Sequence, residues 1–270
     1  MIQAFKMAMK SISGNKFRAF LTMLGIIIGV MALVILVSLV SGATGTVTDT
    51  ISSLGSNLLS VTVSDDKGAP VTLDTLDEWM ADPQIGLAAP SATTTATGKY
   101  SSTTKTDTVY GATPAYAPIN GQTVLLGRFL TQADVENHTS VCIITEKTAE
   151  DMVGYTDCLG EEISLDGRKF TVVGILKNDD ESLTGILTKN SMIAYIPYTT
   201  LMRLSATVSS TITSFSASAP EGGNMATTES AMKRLLLNRF EDDEDAFSLL
   251  SQNMLEDAMS SVTGILTVLL

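Results

Sequence analysis

"FLTMLGIIIGVMALVILVSLV", from Phe20 to Val40, is the stretch on which the reading of this 270-residue chain turns. It holds no charged residue, and the uncharged run around it extends from Ala19 to Thr48. At about 1.5 Å per residue, a helix of this length matches the roughly 30 Å hydrocarbon core of a bilayer. The predicted element is a first transmembrane helix with its extension over residues 19–48. A cleaved signal peptide is the competing reading, because a basic segment comes first. It fits less well: signal h-regions run about 7–15 residues, and "SGATG" at 41–45 is a loose match to a cleavage site.

Working outward, Lys6, Lys10, Lys16 and Arg18 are the only charges in the first twenty residues. The whole chain carries −12, so the first twenty hold +4 and the remainder −16. No further basic residue occurs until Lys67. The positive-inside rule then places the N-terminus in the cytoplasm and the bulk of the chain outside it. Residues 1–18 read as a cytoplasmic amphipathic helix. Ile2, Phe5, Met9 and Ile12 share one face, and Gly14-Asn15 break the helix. Lys6, Lys10, Lys16 and Arg18 are therefore assigned to the anionic inner membrane surface. Within the span, Gly25 with Gly29 and Ser38 with Gly42 form small-residue pairs that let helices approach closely. At the other end, "AMSSVTGILTVLL" (258–270) is uncharged and increasingly apolar, and reads as the start of a second transmembrane helix inside which the chain ends.

Composition excludes several function classes. A mean hydropathy of +0.25 with 17% charged residues is too apolar for an ordinary soluble domain. A pI near 4.4 rules out nucleic acid as a partner. One histidine, His138, and two cysteines cannot build a four-ligand zinc site. His138 in "VENHTS" reads as an exposed loop residue rather than a catalytic base. Neither G-x-x-x-x-G-K-[ST] nor G-x-G-x-x-G occurs. The chain reads as no enzyme, with no catalytic, cofactor or metal residues of its own. "EDDED" (241–245) reads as a solvated loop rather than a cation site, and "NHT" (137–139) as a sequon without meaning. Cys142 and Cys158 both fall outside the membrane, where a disulfide is allowed; a buried thiol at Cys142 is the alternative.

Residues 49–257 read as an α+β extracytoplasmic core domain on transmembrane α-helices. Predicted elements are strand 58–63, a helix in "TLDTLDEWMADP" (72–83) capped by Thr72 or Asp74, and a Thr-rich hairpin turning at Gly98-Lys99. Leu73, Leu76, Met80 and Trp79 on that helix read as core. Beyond the hairpin come strand 141–145, helix 146–154, strands 161–165 and 169–176, an acidic loop 178–181, strand 191–197 and helix 198–204. Strand 211–217, helix 227–240 and strand 246–250 complete the series. Strand-helix-strand units at 58–95 and 211–251 suggest a ferredoxin-like split βαβ lobe (49–95 plus 200–257), with residues 96–199 as an inserted β-rich lobe.

Three blocks carry a resemblance: "NKFRAFLTMLGIIIGV" (15–30), "VYGATPAYAPINGQTVLLGRFLTQADV" (109–135) and "LGEEISLDGRKFTVVGILKND" (159–179). They resemble the corresponding blocks of MacB/FtsX-type ABC transporter permeases. The resemblance implies a membrane permease with a large two-lobed extracytoplasmic domain between spans one and two. It further implies a cytoplasmic ABC ATPase as a separate subunit carrying the ATP, and a homodimer or paralogous permease. A membrane-fusion or adaptor protein and membrane lipid complete the implied partners. Efflux of antimicrobial peptides, macrolide-like drugs or other envelope substrates is the implied work. The alternatives are a non-transporting membrane sensor or scaffold, and an FtsX-like regulator of a cell-wall hydrolase.

Overall fold

A computed structural model describes residues 16–53, 58–178, 192–251 and 254. Its element order is α1 (Lys16–Ser53), β1 (Leu58–Val63), α2 (Leu73–Trp79), β2 (Ala88–Pro90), β3 (Ala92–Tyr100), β4 (Thr103–Ala112), α3 (Tyr116–Ile119), β5 (Val124–Gly127), α4 (Gln132–Glu136), β6 (Val141–Thr145) and α5 (Glu146–Met152). There follow β7 (Glu162–Leu165), β8 (Arg168–Leu176), β9 (Met192–Pro197), α6 (Tyr198–Leu204), β10 (Ser214–Ser218), α7 (Met225–Arg239), a 3₁₀ turn (Glu244–Ala246) and β11 (Phe247–Ser251). The described residues divide into two units, one within residues 16–49 and the other within residues 50–256.

In the first unit, α1 carries the Phe20–Val40 stretch. Every described large apolar side chain from Phe17 to Ile35 is exposed, so the helix is apolar all round rather than on one face. The backbone helix runs unbroken to Ser53. Among residues whose side chains are described, the continuous run stops at Ala32, and by that count no helix is long and apolar enough to cross a membrane. Lys16 and Arg18 sit exposed in its first turn. Gly25 and Gly29 have open space where a Cβ would stand, and Ser38 and Gly42 follow on the same helix. Lys6, Lys10, the amphipathic segment with its Gly14-Asn15 break, the loop beyond Asn178 and the second span lie outside the described residues.

The second unit holds two sheets. The first has the order β11-β1-β10-β2 with antiparallel pairing throughout. With α2 joining β1 to β2 and α7 joining β10 to β11, this is the ferredoxin-like split βαβ layer. Alternation in β1 sends Leu59, Val61 and Val63 inward and leaves Thr62 in solvent. Thr72 caps α2 through the Thr75 N–H. The helix then buries Leu76 and Trp79, whose ring lies 5.7 Å from that of Phe215 on β10. Asn224 caps α7, which buries Ala231, Met232 and Leu236 against the same core. Lys233 and Arg234 pair with Glu244 at 2.8 Å and Asp82 at 2.9 Å, and Arg239 donates to the carbonyls of Ala69 and Pro70.

Between β2 and β10 the chain builds the second lobe. β3, β4, β9, β6, β8 and β7 pair in that order, and β7 pairs again with β3, closing a ring. β5 joins the other half of β8. Closure removes the exposed edges that open sheets leave. Ile144, Ile163, Phe170, Val172 and Ile196 fill one core with Cys142 and Cys158. Ile143, one residue from Cys142, faces a smaller cluster with Leu130, Leu176 and Tyr195.

Two details differ from the sequence reading. The Thr-rich hairpin turns at Ser101-Ser102, with Ser101 at φ +51°, and not at Gly98-Lys99. Gly98 is mid-strand, opposite Lys105, where a Cβ would overlap the Asp107 carboxylate. The glycine answers a close approach, not a turn. His138 is half-buried rather than exposed, at φ +51°, with a buried Nδ1 that has no hydrogen-bond partner.

Two buried carboxylates in this lobe behave oppositely. Asp107 is 1% exposed and neither of its oxygens has a hydrogen-bond partner. Burial pushes its pKa up to about 6, with Lys105 opposing weakly. Asp134 is 5% exposed, and burial alone would raise it too. It accepts from Arg128 Nη1 at 2.6 Å, Thr131 Oγ1 at 2.7 Å, the Thr131 N–H at 2.9 Å and Thr139 Oγ1 at 3.0 Å, which together hold it well below the usual carboxylate range. The proton binds Asp107 more tightly in the folded chain, so its contribution to stability is full below the unfolded value of 3.8 and is lost as pH rises through about 6. Asp107→Asn is therefore expected to raise stability by about 1–3 kcal/mol at pH 7.5 and by much less at pH 4.5, read from denaturant midpoints. Asp134 contributes above its unfolded value and loses that contribution as pH falls below it. Asp134→Asn is expected to lower stability at pH 7 by about 1–3 kcal/mol, with the deficit shrinking on acidification.

A candidate functional site between the two lobes

Four residues on one face of α2, Leu73, Leu76, Asp77 and Met80, have the i, i+3, i+4, i+7 spacing that stacks side chains along a helix. Across from them stand Thr113, Pro114, Ala115 and Pro118, with Gln132 and Val135 of α4. Leu87, Ala88 and Pro90 close the base. Together they enclose a cleft of about 310 Å³. One wall belongs to the split βαβ lobe and the other to the inserted lobe.

Local chemistry fixes both walls. Asp82 is held by Arg234, and the Gln84 carbonyl accepts from Thr228 Oγ1 at 2.7 Å, which ties the loop after α2 to α7. Opposite, α4 opens with a capping box in which Thr131 and Asp134 satisfy each other's backbone N–H groups. Its far end is tied to α6, because Thr199 Oγ1 donates to the Val135 carbonyl and Thr200 Oγ1 to that of Thr139. Pro114 stiffens the segment between β4 and α3, and Pro118 lies within α3.

The electrostatics of the cleft are one-sided. The pKa of Asp77 is raised, first by partial burial and then by the carboxylates of Asp74 and Glu136. Glu136 is on the helix of the opposite wall, so its carboxylate repels that of Asp77 from the other lobe. No Lys or Arg is among the lining residues. Thr113 adds a buried Oγ1 without a hydrogen-bond partner.

None of the described candidate residues taken from the sequence lines this cleft. Lys16, Arg18 and the small-residue pairs are on α1. Cys142 and Cys158 are buried free thiols with no bridge between them. Burial, then the nearby Cys158 and Asp107, pushes the Cys142 thiol well above its ordinary pKa. Within 241–245, Asp243 pairs with Lys67 at 2.7 Å and Glu244 with Lys233. Among the described residues no group of three His, Cys, Asp or Glu side chains is placed to hold a metal. Leu73, Leu76 and Met80 pack on the core as read, and also line the cleft. Asp77, Thr113 and Glu136 were missed; a carboxylate on the apolar face of α2 is the one signal the sequence offered.

Comparison with known proteins places this geometry. The profile of the MacB-like periplasmic core domain matches residues 19–235. The macrolide export ATP-binding/permease protein MacB of Neisseria gonorrhoeae is 26% identical over 276 residues, covering 100% of this chain and 42% of that protein. MacB of Bordetella avium is 31% identical over 208 residues, covering 74% of this chain and 31% of the relative. The chain thus spans less than half the length of these relatives. Among solved structures, the periplasmic region of MacB from Actinobacillus actinomycetemcomitans superposes with a TM-score of 0.64 at 18% identity, covering 78% of this chain and 95% of that one. The extracellular domain of the noncanonic ABC-type transporter YknZ from Gram-positive bacteria gives 0.57 at 20% identity, covering 72% and 100%. These likenesses show the same α+β fold. With the profile matched over most of its length, the chain belongs to the family of the MacB-like periplasmic core domain.

Proposed function

We propose that this chain is the permease part of an ABC-type exporter or mechanotransmission complex, anchored by α1 in the cytoplasmic membrane with its two-lobed domain outside. The observation that carries the reading is the single profile match running from residue 19 to residue 235, which takes in both the apolar helix and the outer domain. In this reading an ABC ATPase partner supplies the hydrolysis; the 270 residues themselves hold no phosphate-binding glycine loop. Lys6, Lys10, Lys16 and Arg18 hold the cytoplasmic surface by attraction to anionic lipid. Gly25, Gly29, Ser38 and Gly42 form close-packing sites for helices of a second permease copy, and the ATPase cycle moves the outer domain for efflux of antimicrobial peptides, macrolide-like drugs or other envelope substrates, with a membrane-fusion or adaptor protein as a further partner.

The test is co-purification of the permease from its native membrane with its ATPase, followed by reconstitution in liposomes. Hydrolysis that depends on the permease, together with increased drug or peptide sensitivity when the gene is deleted, is the expected outcome. Isolation without any ATPase and unchanged sensitivity would overturn the reading. A Gly25→Leu, Gly29→Leu variant is expected to weaken assembly of the complex while leaving the fold of residues 50–256 intact by circular dichroism.

A further inference from the structure

We infer that the cleft between the lobes binds an organic monocation with a compact apolar body. Its volume, about 310 Å³, falls at the lower end of the roughly 300–1,000 Å³ typical of small-molecule sites. The floor and most of the walls are apolar: Leu73, Leu76, Met80, Leu87, Pro118 and Val135. A hydrocarbon body entering there is removed from water, which favours binding.

Polar groups at the cleft select the sign of the charge. Asp77 lines the cavity, and besides partial burial the carboxylates of Asp74 and, from the other lobe, Glu136 act on it. With no basic residue lining the cavity, that repulsion stands uncompensated in the empty cleft. An ammonium group beside Asp77 replaces the mutual repulsion of these carboxylates with attraction. Gln132, one turn before Glu136 on α4, adds an amide oxygen that accepts from an N–H. Thr113 Oγ1 is buried without a partner, and an ammonium N–H satisfies it, whereas an apolar ligand leaves it unsatisfied. An anion meets only like charge.

Because the walls come from different lobes, an occupant joins them. This is where the inference rests on the export reading: a bound cation would register the lobes' relative position for the moving domain. Binding itself needs no ATPase, so it is measured on the chain alone, and the two ideas fail separately.

The experiment uses the 270-residue chain in nanodiscs of zwitterionic phosphatidylcholine, with 1-adamantylamine as probe and 1-adamantanol and 1-adamantanecarboxylate as its neutral and anionic shape-mates. The readouts are calorimetry and the fluorescence of Trp79, the sole tryptophan, which lies on α2 two residues from Asp77. Saturable binding of the amine is expected, at least about tenfold tighter than the alcohol, with the carboxylate silent. Asp77→Asn combined with Glu136→Gln, both exposed positions, is expected to weaken the amine about tenfold and leave the alcohol unchanged. Equal affinity for amine and alcohol, an unaffected double variant, or heat identical to that of empty nanodiscs would each overturn the inference. Loss of binding with ATP-dependent export intact would leave the export reading standing.

Discussion

The architecture depends on one adjacency. β2 and β10 are neighbours in the four-stranded sheet, with Ala88, Ala89 and Pro90 paired to Ala217, Ser216 and Phe215. The chain therefore leaves the split βαβ layer and re-enters it at nearly the same place, where the Ser91 N–H donates to the Ser214 carbonyl at 2.9 Å. In an uninterrupted layer a short hairpin would close this gap. Replacing it with a folded lobe costs the layer little, because loop-closure entropy rises only as the logarithm of length and the inserted segment is ordered by its own core. The ring through β7 completes the arrangement, since a lobe that satisfies most of its own strand edges needs little from its host.

The cleft is a consequence of this insertion. The segment that follows β4 passes α2 before turning into α3, and Pro114 fixes the backbone ahead of that turn. The Arg128–Asp134 pair then holds α4 as the far wall. Asp107 is the counterpart that lacks such support: it lies over Gly98 in the barrel with no donor in reach, and accordingly resists ionisation. The same residue type is stabilising or costly according to whether donors surround it.

Much of the fold was legible because its longer elements obey simple periodicities. Leu58–Val63 and Tyr198–Leu204 were read with the boundaries the structure gives them, since alternation and a well-bounded apolar pattern leave no competing assignment. The symmetric strand-helix-strand units gave the split βαβ layer. β5, α3 and α4 escaped because four or five residues are too few to show a period, and the α4 cap uses Asp134 where the usual capping box has Glu or Gln. Gly98 was misplaced because sequence alone does not distinguish a glycine that turns from one that makes room. The cleft was illegible for a further reason: α2 and α4 are about fifty residues apart in sequence, and only the fold brings Asp77 and Glu136 near each other.

Charge sets the orientation on which the account rests. Four basic residues precede the apolar stretch and none follows until Lys67, so under the proposed reading the domain beyond it lies on the far side of the cytoplasmic membrane. Ser102, in the exposed hairpin turn, gives the most direct check. The native thiols are out of the way, with Cys142 at 0% and Cys158 at 1% exposure. A Ser102→Cys variant treated in intact cells with a maleimide that cannot cross the cytoplasmic membrane should label as fully as it does after lysis. Labelling that appears only after the cells are opened would contradict the account.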